Sequence, residues 1–164
     1  AEKSMIKYVN ADLKKLHGSG VFYIVMGIFA LIYCPVTFYF WNFSFEFVVG
    51  TALMLFVCLA YTLYLHNGLY SIDVAKGNLM ELSQKVLRLR KGYANWLYVG
   101  FTMIIVWCYF LYREALVIYE NPEGFMLAAI IGGLLGGVIG LSRHFKVVRD
   151  ADNLLEHIKE IQNS

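Results

Sequence analysis

Charge is what this sequence has least of, and four long stretches lack it altogether. Only 16% of the residues are Asp, Glu, Lys or Arg, whereas a soluble globular domain has about 25%. No charged side chain occurs within residues 20–41, 47–65, 95–112 or 125–142. A helix needs about 20 apolar residues to cross a bilayer core of about 30 Å. The composition therefore excludes an ordinary soluble domain and predicts a membrane protein with four spans.

Proline and cysteine are also scarce. The chain has two prolines, Pro35 and Pro122, so long helices can run without a break. Pro35 falls inside the first span, where its missing N–H should kink the helix or end its regular geometry a turn early. The cysteines, Cys34, Cys58 and Cys108, all lie in apolar segments without a CxxC motif. This pattern favours free, packed thiols over a disulfide framework or a metal site.

Apolar residues recur at helical spacing in the three polar segments that flank the spans, residues 3–18, 66–94 and 143–162. Together with the spans, they predict an all-α protein with one membrane domain covering residues 1–164. Its fold is expected to be an up-down-up-down four-helix bundle with helices extended into the cytoplasm. The predicted seams are Ile6, Val9, Leu13 and Leu16; Ile72, Ala75, Leu79, Leu82, Val86, Leu89 and Tyr93; and Val147, Ala151, Leu154, Ile158 and Ile161.

The polar segment between spans 2 and 3 contains a candidate turn. Gly77 suits the position after a helix C-cap, and Asn78 with Glu81 resembles a capping box. We therefore expect the helix of span 2 to continue beyond the membrane to about Lys76, and a second helix to begin after the turn. A break at residues 66–68, His-Asn-Gly, is the competing boundary.

Positive residues predict the orientation in the membrane. Of all Lys and Arg, only Arg113 lies in a link at the outer end, so the positive-inside rule places both termini and the central hairpin in the cytoplasm. The expected location is a bacterial inner (plasma) membrane. An ion pair of Arg113 with Glu46 or Glu114 could close the outer end. Seven inner residues either contact anionic lipid headgroups or only set the topology: Lys85, Arg88, Arg90, Lys91, Arg143, Lys146 and Arg149.

Small residues form a regular row in the fourth span. At four-residue spacing, such a row lets two membrane helices approach closely, as in a glycine zipper. Two interpretations stay open: the row packs against spans 1 to 3 of the same chain, or it is the face of a homodimer or of a partner helix. The row is Ala128, Gly132, Gly136 and Gly140, beside Gly133 and Gly137.

Three histidines, His17, His66 and His144, lie at the predicted cytoplasmic ends of spans 1, 2 and 4. Imidazoles at one depth can converge on a metal ion or sense pH. Their spacing matches no ligand motif, so three separate interfacial rings with solvated tips are the alternative. No other metal ligand and no cofactor is predicted.

Function is the least determined property of this sequence. Spans without Asp, Glu, Lys or Arg argue against an ion-coupled transporter and a membrane hydrolase, and no HExxH, GxSxG or P-loop motif occurs. The prediction is a non-enzymatic membrane scaffold or regulatory protein that acts through its cytoplasmic helical stalk and its fourth span. Its expected partners are the lipid bilayer and a second copy or another protein, without nucleic acid. The alternatives are a small homodimeric transporter or channel for an apolar or aromatic solute, and a lipid-acting or metal-dependent enzyme that uses the three histidines.

Overall fold

The computed structural model describes residues 2–69 and 79–163, and nearly all of them are helical. The helices are α1 (Glu2–Phe40), α2 (Phe45–His66), α3 (Leu79–Ile118) and α4 (Glu123–Asn163). All four are long and apolar enough to cross a membrane. The all-α class and the four candidate spans expected from the sequence are therefore confirmed.

Three helices continue from an apolar span into a polar segment without a break. α1, α3 and α4 contain 39, 40 and 41 residues, and at 1.5 Å per residue each is about 60 Å long. A bilayer core of about 30 Å accommodates about half of that length. The early end expected at Pro35 is not observed, since α1 continues to Phe40. The turns on either side of a proline can keep their own hydrogen bonds when one bond of the ladder is missing.

α2 is shorter than predicted. It ends at His66, so the expected continuation to Lys76 is wrong and the competing boundary is correct. Asn67 leaves the helix with extended backbone angles, and Gly68 adopts a left-handed φ of +69°. Glycine takes this conformation without the steric cost of a Cβ, which explains the stop. The turn predicted at residues 76–78 lies outside the described residues.

The helices are arranged in a ring, in which α1 contacts α2 and α4, and α3 contacts α2 and α4. We call residues 2–19, 66–69, 79–94 and 143–163 the stalk. The described parts of the predicted seams pack against one another within a single chain, and water around the stalk makes that burial favourable. Ile72 and Ala75 of the predicted central seam lie outside the described residues. The buried apolar side chains of this core, which also takes in Leu65 from the end of the second span, are Val9, Leu16, Leu65, Leu69, Leu82, Val86, Leu89, Tyr93, Val147, Ala151, Leu154, Leu155 and Ile158.

The spans above the stalk are packed much less tightly. Every residue from 131 to 142 of α4 is exposed. A second, smaller cluster lies at the end remote from the stalk, where Phe43, Phe47 and Leu111 are buried against Phe38 and Trp107. Lipid tails are as apolar as these side chains, so exposure of the spans costs little in a bilayer. The stalk core therefore positions the helices, and the spans present open surfaces.

Candidate functional site

A polar cluster built around Tyr93 lies where the stalk meets the spans. The Tyr93 hydroxyl and His66 Nε2 are 2.9 Å apart, and both side chains are buried. The Tyr93 ring lies 5.8 Å from the ring of His144 and 6.1 Å from that of Tyr23. Tyr23, His66, Tyr93 and His144 belong to α1, α2, α3 and α4, so one aromatic residue from each helix meets at this level.

His17 and His66 line one cavity of about 540 Å³ between α1, α2 and the turn that follows α2. Burial, and then the charge of nearby His17, lowers the pKa of His66 to about 4, so its ring is neutral at pH 7. His144 contacts Tyr93 and does not line this cavity. Among the described residues, no three His, Cys, Asp or Glu side chains are placed to hold a metal ion. His17 and His66 thus share a cavity, whereas Tyr93 contacts both His66 and His144.

A buried carboxylate links α1 to α4 in the stalk. Asp12 is 5% exposed, accepts a hydrogen bond of 2.8 Å from Lys15 Nζ and lies 2.8 Å from His157 Nδ1. The bond from Lys15 and the negative charge of Asp12 raise the pKa of Lys15. Hydrogen bonds of this kind fix the register of two helices as well as stabilising them.

Sequence reasoning missed this link and a second buried acid, Asp150, whose Oδ2 has no hydrogen-bond partner among the described residues. A signal was present in both helices. Asp12 follows Val9 by three positions and Asp150 follows Val147 by three, which puts each acid on an apolar seam. A charged residue on such a seam indicates a buried polar contact.

Three of the seven residues expected to contact anionic lipid hold the stalk together. Lys85 Nζ donates to a carbonyl of the turn after α2 at 3.1 Å, and Arg90 pairs with Asp152 of α4. The guanidinium of Arg143 lies 4.6 Å from the centre of the Phe22 ring, a cation–π contact between α4 and α1. The other four are exposed on the stalk: Arg88, Lys91, Lys146 and Arg149.

The glycine row of the fourth span has open space in front of it. No atom of another helix lies within 4 Å of the position that a Cβ would take on Gly132, Gly133, Gly136, Gly137 or Gly140. The structure therefore does not have the row packed against spans 1 to 3. α4 meets its neighbours through its stalk residues and, at its start, through Phe125 and Ala129, which leaves residues 131–142 as a free surface in the single chain.

The end of the bundle remote from the stalk is held by hydrogen bonds. Glu114 accepts a bond of 3.0 Å from the Ser44 backbone N–H and one of 2.8 Å from Ser44 Oγ. Ser44 is the N-cap of α2, and its Oγ accepts from the Phe47 N–H at 3.3 Å. The ion pairs found among the described residues do not include Arg113, so neither candidate pair, with Glu46 or with Glu114, is formed there. The carboxylate of Glu114 already accepts two hydrogen bonds from Ser44.

No protein-family model matches this chain, and no curated protein or solved structure matches it either. A function for this protein therefore has to be argued from the surfaces described above.

Proposed function

We propose that this protein is a non-enzymatic membrane scaffold that pairs with a second copy through its fourth span. One observation carries the proposal: the apolar half of α4 is exposed on every side from residue 131 to residue 142, and its glycine row faces open space. The stalk core, by contrast, closes within one chain. The fourth span is therefore the surface that another helix can cover.

The orientation proposed is four crossings, up-down-up-down, with both termini and the stalk in the cytoplasm of a bacterial inner membrane. Positive residues support this orientation, because those of the described chain lie on the stalk except for Arg113. Exposed Arg88, Lys91, Lys146 and Arg149 would then lie on the stalk surface, where anionic headgroups can reach the residues closest to the bilayer.

A second copy is the occupant that suits the row best. Two parallel α4 helices from two copies would each contribute glycine to the crossing, so both backbones can approach without displacing side chains. A symmetric dimer also closes on itself and leaves no further copy of the surface open. Another protein would need a small-residue row of its own to come as close.

The stalk contributes in a different way from the one expected. Its seams are occupied by one another, so they are not available to bind a partner in the folded chain. In the proposed dimer the stalk is a rigid platform that fixes the direction of α4 as it enters the bilayer. A partner that docks on the stalk would have to recognise its exposed, mainly basic, surface.

Light scattering of the full chain in a mild detergent tests the proposal, since the chain has a mass of 18.8 kDa and a dimer twice that. Gly136→Leu adds bulk to the row and should shift the protein to monomer, with at least about a tenfold weaker association. Val138→Phe adds bulk two positions on, which is about 200° around the helix, and should leave the dimer intact. A wild-type monomer, or equal effects of the two variants, would overturn the proposal.

A further inference from the structure

An open cleft of about 700 Å³ separates α2 from α3 at the end of the bundle remote from the stalk. Its walls are mainly apolar and include Phe47, Met54, Met103, Val106 and Phe110. A volume of this size is within the range of sites that hold small molecules or single chains. The cleft is independent of the α4 surface, because no residue of α4 lines it.

The charged groups of the cleft are all at one end. Glu46 lies in the first turn of α2, Arg113 and Glu114 lie near the end of α3, and all three line the cleft. The Glu114 carboxylate accepts hydrogen bonds from the Ser44 backbone N–H and hydroxyl. Glu46 and Arg113 are exposed, and among the described residues neither forms an ion pair. One acceptor and one donor of opposite charge thus border the same opening.

The length of the cleft matches one leaflet of a bilayer. Glu46 and Met54 are eight residues apart on α2, which is about 12 Å along a helix. Half of a bilayer core is about 15 Å. An amphiphile with its headgroup at the charged end would therefore place its chain along the apolar walls in the leaflet on that side.

We infer that the cleft binds a zwitterionic membrane phospholipid with a primary amine, of the phosphatidylethanolamine class. Arg113 binds the phosphate, as a guanidinium does through paired hydrogen bonds, and Glu46 accepts hydrogen bonds from the ammonium group. One acyl chain lies between α2 and α3. This lipid adds to the direct contacts of the two helices, which at the cleft include a hydrogen bond of 3.0 Å from Trp107 Nε1 to Thr51 Oγ1.

Charge complementarity selects this class over other amphiphiles. A lipid with a net negative headgroup places its charge near both Glu46 and Glu114, which repel it. A cationic amphiphile is repelled by Arg113 in the same way. A zwitterion satisfies both signs, and a primary ammonium donates hydrogen bonds that a quaternary amine lacks.

Native mass spectrometry of the full chain, released from detergent with lipids of matched acyl chains, tests the inference. Phosphatidylethanolamine should be retained about fivefold more than phosphatidylglycerol or phosphatidylcholine, as expected for one exposed charge-assisted contact. Glu46→Gln should remove that preference. Arg113→Gln should lower the retention of all three lipids, because each carries the phosphate, and Arg113→Lys, which keeps the charge without the paired hydrogen bonds, should lower it less. Glu123→Gln, an exposed acid of α4 at the same end that does not line the cleft, is the matched control.

A second pair of variants tests the position of the acyl chain. Gly50 lines the cleft and has open space where a Cβ would be, so Gly50→Leu should fill the cleft and reduce lipid retention about fivefold. Gly124 also has open space and does not line the cleft, so Gly124→Leu should have no effect. Free phosphoethanolamine, which has no chains, should not compete at concentrations where the lipid binds.

Three results would overturn the inference. Equal retention of all lipids in every variant would identify them as ordinary boundary lipid. Preferred retention of phosphatidylglycerol would show that Arg113 acts without Glu46. Saturable binding of indole that displaces every lipid, and that Gly50→Leu removes, would assign the cleft to an aromatic solute.

Discussion

A matched pair of substitutions in α4 tests the division of the molecule into a packed stalk and open spans. Leu154 is 0% exposed, whereas Leu134 in the same helix is 67% exposed. Replacing a buried leucine by alanine removes its contacts and leaves a cavity, which costs about 2 to 5 kcal/mol. The same change at an exposed site falls within about 0.5 kcal/mol. Leu154→Ala should therefore destabilise the protein several times more than Leu134→Ala.

Thermal unfolding in one mild detergent, followed by circular dichroism, measures the difference. For a chain of this size, about 1 kcal/mol corresponds to about 2 to 4 °C in Tm, so Leu154→Ala should lower Tm by about 10 °C and Leu134→Ala by about 2 °C or less. Leu134 follows Gly132 by two positions, which places it about 200° around the helix from that glycine. Leu134→Ala should therefore leave the proposed dimer intact, and the change in Tm reports on packing within the chain. Equal losses in the two variants would refute the reasoning that the stalk carries the stability.

Three further predictions concern the cluster at the base of the spans. In the unfolded state His66 has an ordinary pKa of about 6.5 and takes up a proton between pH 7 and pH 5, whereas in the folded state its pKa of about 4 keeps the ring neutral over that range. The free energy of unfolding should therefore fall by about 2 kcal/mol as the pH is lowered from 7 to 5. His66→Gln should flatten a plot of Tm against pH. Tyr93→Phe removes the partner 2.9 Å from His66 Nε2 and should cost about 1 to 3 kcal/mol in the same unfolding assay, because a buried nitrogen loses a hydrogen bond; an unchanged Tm would contradict that role. Gly92→Ala places a Cβ 2.3 Å from a methyl group of buried Leu65 and should lower Tm, although alanine has the better helix propensity. Gly100→Ala is the control: its Cβ would have no contact under 3.9 Å, so Tm should stay unchanged or rise.

Helices and seams could be predicted from this sequence because both depend on local periodicity. Val147, Ala151, Leu154 and Ile158 repeat at helical spacing, and such a repeat places them on one face whatever packs against it. The end of α2 was harder to predict, since both His66 and Lys76 are followed by glycine-containing stop signals. Gly68 ends the helix in the structure, and a local signal alone could not rank the two.

The candidate sites depended on contacts that no local pattern determines. His66 was singled out as a possible metal ligand, and its neighbour proved to be Tyr93, 27 positions later in the chain. Glu114 was one of two candidate partners for Arg113, and it instead accepts hydrogen bonds from Ser44, the N-cap of α2, 70 positions earlier. Contacts across such separations depend on how the helices are arranged around one another, which the spacing within one helix does not contain.

By itself, the sequence determined that four apolar helices exist, where α1, α3 and α4 change from apolar to polar, and which face of each of these three polar halves is apolar. These properties follow from composition and from the 3.6-residue period of a helix. The tertiary structure alone decided that the stalk seams occupy one another, that the glycine row of α4 faces away from its own chain, and that a cleft opens between α2 and α3. The physical reason is that water forces the polar halves to bury their apolar faces, whereas lipid allows the spans to leave theirs exposed.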